Sequence, residues 1–362
     1  MNVDIAVRRT ADALGRTTSD RFPVAPLALV TGRSLELSVG DPDQPFFVAS
    51  IDKVFIATLV AQLAADGLLR PDSPLGELLP DEDLAPLPAA PGIDNARHVT
   101  VEHLLTHTAG LPDVMLPPRG HETECAIPRL LADPSRVWTI QEFLQQAAHL
   151  PPFARPGARF CYSDTGYFLL IRIIEEATGV GFAEQLRAGI FEPAGMTDSA
   201  EWVGAGADRL DTLATTLAPF WLDTRGSEVR TGDVRRAFAP NLTWTNGLGG
   251  PSTAHDLVRF QRALHGGELL DPMWIDFFAR PRNRFRPGIH YGAGMNTLLF
   301  GGFFPTLRGY PRPVGGLGYT ATHMYYYPEQ QTHVILNYHA HRRMQASFLM
   351  HIRLAGLIRR HG

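Results

Sequence analysis

A serine and a lysine stand three positions apart near the start of the chain, as Ser50 and Lys53, and Lys53 is the only lysine in the sequence. Apart from Lys53, all the Lys and Arg residues of the chain are arginines. An arginine stays protonated in proteins, whereas a buried lysine can exchange a proton. A lysine one helical turn from a serine can activate the hydroxyl as a nucleophile. The pattern is short enough to arise by chance, so other residues have to complete a site.

Tyr162 is a candidate for the base that such a serine needs. It lies just before a predicted helix, and its phenol would accept a proton if the Lys53 ammonium lowers its pKa. The alternative is a half-buried, structural Tyr162, with Ser163 or Asp164 acting only as the cap of the helix.

Residues 315–319 read Gly-Gly-Leu-Gly-Tyr and form the third candidate element. Glycines beside a strand let another group approach the backbone closely. A backbone N–H from this segment could pair with that of Ser50 to hold an oxyanion. The alternative is an ordinary strand entry or bulge.

Periodicity and turn residues predict the elements that must position these residues. Ser50 falls at the start of a predicted helix over 51–65, where the helix dipole favours developing negative charge. The predicted strands are 27–31, 34–39, 46–49, 295–300, 323–327 and 333–338. The predicted helices cover most of 1–20, 51–65, a capped segment from 100 to 105, 140–149, 165–178, 181–190, 254–264 and 342–359.

Strands therefore occupy both ends of the chain, with mostly helices between them. This order predicts an α+β fold, in which an antiparallel sheet flanked by the terminal helices carries an inserted, mostly helical lobe. We expect one domain over residues 1–362, with the sheet lobe at about 1–70 and 285–362 and the helical lobe at about 71–284. A cleft between lobes is a favoured place for a site.

Composition excludes several classes of function. The 362 residues are 44% hydrophobic and 19% charged, with a net charge of −4 and no basic stripe, so no nucleic-acid partner is expected. No apolar run approaches the length of a membrane span, and residues 1–20 do not resemble a secretory signal, so we expect a cytoplasmic protein. Two cysteines are too few for a disulfide framework, and Cys161 is expected to be a small buried apolar residue.

Six segments, taken together and in order, resemble the serine β-lactamase-like superfamily, which includes class C β-lactamases, D-alanyl-D-alanine carboxypeptidases, esterases and transacylases. The matches extend over nearly the whole chain, so their combination is highly specific although each is weak alone. They are 47–55 (FVASIDKVF), 100–112 (TVEHLLTHTAGLP), 162–167 (YSDTGY), 191–196 (FEPAGM), 252–257 (STAHDL) and 326–328 (YYP).

The resemblance implies a β-lactamase/transpeptidase-like fold and a role for each matching position. Ser50 would be the acylated nucleophile, Lys53 its proton partner and Tyr162 the general base. The N–H groups of Ser50 and Tyr319 would form the oxyanion hole. No metal or organic cofactor is implied.

Two departures from the family pattern concern the substrate. The third motif of the family carries Lys or His, then Thr or Ser, then Gly, whereas this chain has Gly316, Leu317 and Gly318. Without the cation, a buried substrate carboxylate would be costly, which argues against β-lactams and D-alanyl-D-alanine. Asp164 stands where many relatives have Asn; it would favour a protonated Lys53 and is a candidate to receive a substrate amine.

These observations predict a serine acyl enzyme that hydrolyses an ester or amide of a small molecule or peptide through an acyl-Ser50 intermediate. One alternative is a transacylase that passes the acyl group to an alcohol or amine in a biosynthetic pathway. The other is a non-catalytic binding protein on the same fold. The sequence identifies neither the acyl group nor the acceptor nor the oligomeric state.

Three histidines are further candidates for site residues. His323 is interpreted as a packed strand residue rather than a cleft residue. His339 and His341 make a weak metal case, and both are expected at the surface.

Overall fold

The computed structural model describes residues 3–19, 22–88, 96–224 and 227–362. The strands are β1 (Leu27–Thr31), β2 (Glu36–Val39), β3 (Phe46–Phe47), β4 (Trp221–Thr224), β5 (Ser227–Arg230), β6 (Pro251–Ser252), β7 (Asn283–Arg286), β8 (Ile289–Tyr291), β9 (Asn296–Leu298), β10 (Val314–Gly318), β11 (Thr322–Tyr327) and β12 (Thr332–Asn337).

The α-helices are α1 (Val3–Gly15), α2 (Asp52–Ala65), α3 (Leu75–Leu78), α4 (Asp81–Leu84), α5 (Val101–Leu105), α6 (Ile127–Ala132), α7 (Ile140–Gln146), α8 (Asp164–Thr178), α9 (Phe182–Leu186), α10 (Thr197–Ala200), α11 (Ala207–Thr216), α12 (Thr231–Phe238), α13 (Ala254–Gly266), α14 (Met273–Ala279) and α15 (Met344–His361).

The main sheet joins the two ends of the chain. Its eight strands lie in the order β2-β1-β12-β11-β10-β9-β8-β7, and every neighbouring pair is antiparallel. The first pairing between the ends is β1 with β12, where Leu27 lies opposite Asn337. The predicted antiparallel sheet of an α+β fold is therefore confirmed.

Each face of the sheet buries its own hydrophobic cluster, as the two-residue alternation of strands requires. Val30 and Val334 pack with the terminal helices α1 and α15 on one face. Leu29 and Ile335, one position along, pack on the other face with α2 and α8. This face of the sheet thus packs against α2, the helix that follows Ser50. The single domain and its lobe boundaries stay a prediction.

Long periodic segments were predicted closely, and short ones were not. β1 agrees exactly with the prediction, and α8 begins one residue earlier than predicted. The segment 71–91, to which the sequence assigns no helix or strand, contains the single-turn helices α3 and α4, and its last residues lie outside the described part. The segment 112–134, likewise without a predicted element, contains α6. One or two helical turns are too short for a hydrophobic period to show.

The two cysteines are free thiols. Cys125 is buried, but Cys161 is only partly buried, so the expectation for Cys161 was wrong: it lies in the segment before α8, beside the partly exposed Tyr162. Among the described residues, no helix combines the length and the apolar character needed to cross a bilayer.

The histidines divide between confirmed and wrong predictions. His323 is fully buried in β11, so its interpretation as a packed strand residue is confirmed. His339 is buried rather than exposed, because its backbone, at φ 58°, turns into the core while its carbonyl accepts a hydrogen bond from the Trp221 N–H. His341 is partly buried and stacks on the Tyr319 ring. Within the described ranges, no group of three or more His, Cys, Asp or Glu is arranged to hold a metal ion.

Candidate active site

Ser50 lies in a tight 3-10 turn, Ala49–Ile51, that leads directly into α2. Ala49 adopts a left-handed backbone with φ 49°, an uncommon conformation for a residue with a side chain. Such strain persists only where the surroundings enforce it, and it concentrates at functional sites. The backbone of Gly249, itself left-handed, packs closely against Ala49. A Cβ at Gly249 would lie only 2.8 Å from the Ala49 carbonyl oxygen.

Strand β10 supports the Ser50 turn from beneath through two glycines. A Cβ at Gly318 would lie 2.4 Å from the Val48 carbonyl oxygen, closer than real side chains come. A Cβ at Gly316 would lie 3.0 Å from a methyl group of Val54. The glycine-rich segment therefore lets the nucleophile turn approach the strand, which is a more specific role than the close approach of a ligand that the sequence suggested.

The Tyr162 phenol donates a hydrogen bond to Ser50 Oγ at 2.9 Å, across 112 positions of the chain. Lys53 Nζ lies 5.5 Å from the centre of the Tyr162 ring and 5.2 Å from that of Tyr167. The hydrogen bond of its ammonium goes to Asp164 Oδ1, at 2.6 Å. The structure thus brings Ser50, Lys53, Tyr162 and Asp164 into one site, with the phenol rather than the amine bonded to the serine.

Burial and charge fix the protonation of the two catalytic candidates. Burial lowers the pKa of Lys53, but Asp164, Tyr162 and Asp52 together outweigh it and hold that pKa well above its ordinary value. Burial raises the pKa of Tyr162 well above its ordinary value, and the opposing effect of Lys53 does not overcome it. At neutral pH the site therefore holds an ammonium and a neutral phenol, in contrast to the lowered pKa expected for Tyr162.

Asp164 is the first residue of α8 and is presented to the site by the loop before it. Ser163 occupies the cap position, but its hydroxyl donates to the Pro112 carbonyl at 3.0 Å, and it makes no side-chain cap to the helix. The Thr165 hydroxyl donates to the same carbonyl at 2.7 Å. These bonds tie the start of α8 to the loop after α5, so that Asp164 is held beside Lys53.

His107 supports Tyr162 from behind, a contact that residue patterns alone did not predict. Its ring is fully buried and stacks on the Tyr162 ring, with 4.4 Å between centroids. Its Nδ1 accepts a hydrogen bond from the Ser163 N–H at 3.3 Å, so the ring proton resides on Nε2. Burial and the charge of Lys53 hold the pKa of His107 well below its ordinary value, which keeps the ring neutral.

Aromatic side chains form a wall on the same side of the site as Tyr162. Phe285 lies 5.8 Å and Tyr291 5.9 Å from the Tyr162 ring centre. Phe160 packs against both, at 6.0 and 5.7 Å. Phe160 and Phe285 are only partly buried, so the wall presents apolar surface next to the nucleophile.

Two further buried carboxyl groups interact electrostatically with Lys53 and Asp164, and sequence reasoning missed both. Asp52 is 1% exposed, its Oδ1 lies 3.8 Å from Lys53 Nζ, and this oxygen has no hydrogen-bond partner among the described residues. Asp113 accepts hydrogen bonds from the N–H groups of Met115 and Leu116. Burial raises the pKa of each carboxyl to about 7, with the charge of Asp164 adding to the effect. The signal available was position, since Asp52 adjoins Lys53 and Asp113 directly follows a matched segment.

The residues of the third motif point to opposite faces of β10. Gly316 and Gly318 face the Ser50 turn, whereas Leu317, opposite His323 in the register, packs with the cluster under the terminal helices. The Leu317 side chain thus lies on the face away from the nucleophile turn. Val314 shares the face of the two glycines, so this part of the site carries no charged side chain from β10.

Backbone groups of β10 alternate in direction in the same way. The Pro313 carbonyl accepts a hydrogen bond from the Leu298 N–H, so the backbone groups of residue 313 are directed toward β9. Because these directions repeat every two residues, the backbone groups of residues 315 and 317 are directed to the same side. Pairing with β9 ends at Gly315. The Leu317 N–H therefore lies on the part of the β10 edge with which β9 does not pair. Tyr319 follows in the turn to β11, where its carbonyl accepts from His341 Nδ1 at 3.1 Å.

Comparison with known proteins agrees with this geometry. A family model described as Beta-lactamase matches residues 24–350. The chain belongs to the beta-lactamase family. It is similar in fold to the D-amino acid amidase of Ochrobactrum anthropi SV3, with a TM-score of 0.74 and 22% identity over 99% of both chains.

The relatives include a penicillin-binding protein and an acyltransferase. The chain is 31% identical over 157 residues to penicillin-binding protein 4 of Amycolatopsis lactamdurans, covering 43% of this chain and 36% of that protein. It is 26% identical over 287 residues to monacolin J acid methylbutanoyltransferase of Aspergillus terreus, covering 71% of this chain and 65% of the relative. The match thus spans between about one third and two thirds of the length of these relatives.

Proposed function

We propose that the protein is a serine acyl enzyme that attacks an ester or amide carbonyl with Ser50 and hydrolyses the resulting acyl-Ser50 intermediate. The observation that carries this proposal is the 2.9 Å hydrogen bond between the Tyr162 phenol and Ser50 Oγ, beside the buried Lys53 ammonium. A hydroxyl in contact with a proton-transferring group, next to a fixed positive charge, is the arrangement that nucleophilic catalysis requires.

Proton transfer would run through Tyr162 as a relay. Because its raised pKa keeps the phenol protonated, Tyr162 takes the Ser50 proton as it gives its own proton to the leaving alcohol or amine. The phenol oxygen gains negative charge during this exchange, and the Lys53 ammonium stabilises it. Lys53, held protonated by Asp164, supplies charge in this mechanism rather than accepting the serine proton.

The oxyanion formed on the attacked carbonyl needs backbone donors. We assign one to the Ser50 N–H at the start of α2, and the second to β10 or the turn after it. Tyr319 N–H is the donor that the family resemblance implies, and the strand alternation described above adds Leu317 N–H. Gly316 and Gly318 serve this arrangement by letting the Ser50 turn lie against the strand.

Hydrolysis is the first choice for the second half of the reaction, since Ser50 and Tyr162 are only partly buried and water can reach the acyl group. Transfer of the acyl group to an alcohol or amine is the second candidate, favoured by the similarity to a methylbutanoyltransferase over 71% of this chain. The substrate in either case would be a small molecule or peptide whose apolar part packs on the wall of Phe160 and Phe285.

A fluorophosphonate probe with intact-mass detection tests the proposed nucleophile. We expect one adduct on the wild-type protein and none on Ser50→Ala. Equal labelling of Ser50→Ala would refute Ser50 as the nucleophile. An unlabelled wild type would instead favour a non-catalytic binding protein on the same fold.

A further inference from the structure

We propose that the acyl part of the substrate carries a protonated amine near the scissile carbonyl, and that Asp164 binds this amine. The inference deepens the proposed function and rests on it. Its basis is the distribution of charge and hydrogen-bonding capacity around Ser50.

Among the described residues, the Asp164 carboxylate contacts Lys53 through Oδ1, and part of its side chain is exposed beside Ser50 and Tyr162. Its Oδ1 accepts from Lys53 at 2.6 Å, and its side chain is 17% exposed while that of Lys53 is 6% exposed. An ionised carboxylate only accepts hydrogen bonds, so the group that meets its second oxygen has to be a donor. A protonated amine satisfies both the hydrogen-bonding capacity and the charge.

The charges around Lys53 favour a further cation. Burial raises the pKa of Asp52 and of Asp113 to about 7, and the charge of Asp164 adds to both shifts, so the two buried carboxyls are partly ionised near neutral pH. A positive charge brought to Asp164 by the substrate would lower the repulsion between Asp164 and these carboxylates.

Asp52 provides an independent observation that a second cation can be accommodated. Its buried Oδ1 lies 3.8 Å from Lys53 Nζ and has no hydrogen-bond partner in the part of the chain that the structure describes, which is costly for a buried polar atom. A small shift of the ammonium toward Asp52 would satisfy this oxygen. Lys53 would then remain paired while Asp164 turns to the substrate.

The opposite side of the cleft gives no support to an anionic substrate. On the face of β10 that meets the Ser50 turn stand Val314, Gly316 and Gly318, none of which can neutralise a carboxylate. A substrate carboxylate would meet apolar surface on this side and the Asp164 carboxylate on the other. The site therefore selects for a cationic acyl group and against an anionic one.

Matched chromogenic substrates test the inference at about pH 7, where an α-amine is largely protonated. They are an aminoacyl p-nitroanilide with an aromatic side chain, and its desamino analogue with hydrogen in place of the amine. We expect kcat/KM to favour the amine by about 10- to 100-fold, the range for a hydrogen bond to a charged group. Asp164→Asn should bring the ratio close to one, even if the variant loses activity on both substrates.

Asp52→Asn is the matched control, because it removes a charge beside the same lysine without touching the cleft, and the Asn side-chain oxygen can still accept a hydrogen bond from the ammonium. The preference for the amine should persist in this variant. Equal or better turnover of the desamino analogue by wild type, or an unchanged ratio in Asp164→Asn, would overturn the amine site while leaving the acyl enzyme intact. If neither substrate is turned over and the fluorophosphonate probe does not label the protein, the proposed function itself would be refuted.

Discussion

Lys53 lies between two carboxylates, at 2.6 Å from Asp164 and 3.8 Å from Asp52, and only 6% of its side chain is exposed. This environment holds the lysine as an ammonium. It can therefore stabilise negative charge on the Tyr162 oxygen, but it has no lone pair with which to take a proton from Ser50. The residue that was expected to share the serine proton is a permanent charge in the mechanism proposed above.

Replacing Lys53 by methionine keeps the length and shape of the side chain but removes its charge. The rate of Ser50 acylation should fall by about 10²- to 10⁴-fold, the usual scale for lost assistance to proton transfer. Stopped-flow measurement with an activated ester gives the rate, and circular dichroism shows whether the variant folds. A correctly folded Lys53→Met variant with near-normal acylation would contradict the role of the charge.

Asp52 offers a test on stability rather than activity. Its carboxyl has a folded pKa of about 7, above its ordinary value of 3.8, so the folded state binds the proton more tightly than the unfolded chain. Its contribution to stability is full below the ordinary value and is lost as the pH rises through about 7. Asp52→Asn should therefore raise Tm, relative to wild type, more at about pH 8 than at about pH 5.

Calorimetry at the two pH values checks this expectation, with Asp72→Asn as the control, since that side chain is 74% exposed. The same gain in Tm at both pH values would mean that Asp52 does not titrate in this range.

At the scale of elements, the nucleophile turn depends on close contact with β10. A methyl group at Gly318 would collide with the Val48 backbone, which cannot move without moving Ser50. At Gly316 the nearest atom is a methyl group of Val54 at 3.0 Å, so a methyl group there needs a much smaller displacement than the one at Gly318, which would lie 2.4 Å from the Val48 carbonyl oxygen. The two glycines are thus equivalent in sequence but not in the consequence of substitution.

We expect Gly318→Ala to slow fluorophosphonate labelling of Ser50 at least tenfold more than Gly316→Ala does, on the principle that small displacements of a nucleophile are costly. The comparison of labelling rates at matched folded fraction is the measurement. Similar rates in the two variants would show that the turn tolerates a displaced β10.

Element type was predictable from the sequence where a long segment has one dominant period, as in α2, α8 and β12. The strands β7 and β8, three or four residues each, were missed because so few positions cannot establish alternation. In the site, the types and roles of Ser50 and Tyr162 followed from the family resemblance. The protonation of Tyr162 did not, since it depends on burial that only the tertiary structure determines.

At the scale of the whole molecule, an unusual number of neutral imidazoles support the fold. One series links the sheet to the last helix. The Ser347 hydroxyl donates to the Met344 carbonyl, so with both rings neutral it accepts from His323 Nε2, while His351 Nδ1 donates to His323 Nδ1 and His351 Nε2 accepts from the Tyr327 hydroxyl. The contact between the two Nδ1 atoms needs one of them to be unprotonated, so the two rings cannot both be cationic. Burial lowers the pKa below its ordinary value in His107, His265, His323, His333, His339 and His351.

This arrangement predicts that stability falls as the pH drops below about 6.5, because the unfolded chain takes up protons that the folded state excludes. Asp52 and Asp113 act in the opposite direction but are fewer. Replacing both His323 and His351 by leucine should flatten the decrease in Tm between about pH 7 and pH 5. Calorimetry of this double variant tests the prediction, with His121→Ala, at an exposed position, as the control. An unaltered dependence of Tm on pH would contradict it.

The solitary buried lysine also gives the molecule a natural spectroscopic label. Isotope-labelled lysine supplied during expression marks only one residue in this chain, and its amine lies beside the nucleophile. A single magnetic-resonance signal would then report, without mutagenesis, on how the electrostatic surroundings of the reaction centre alter as ligands enter and leave.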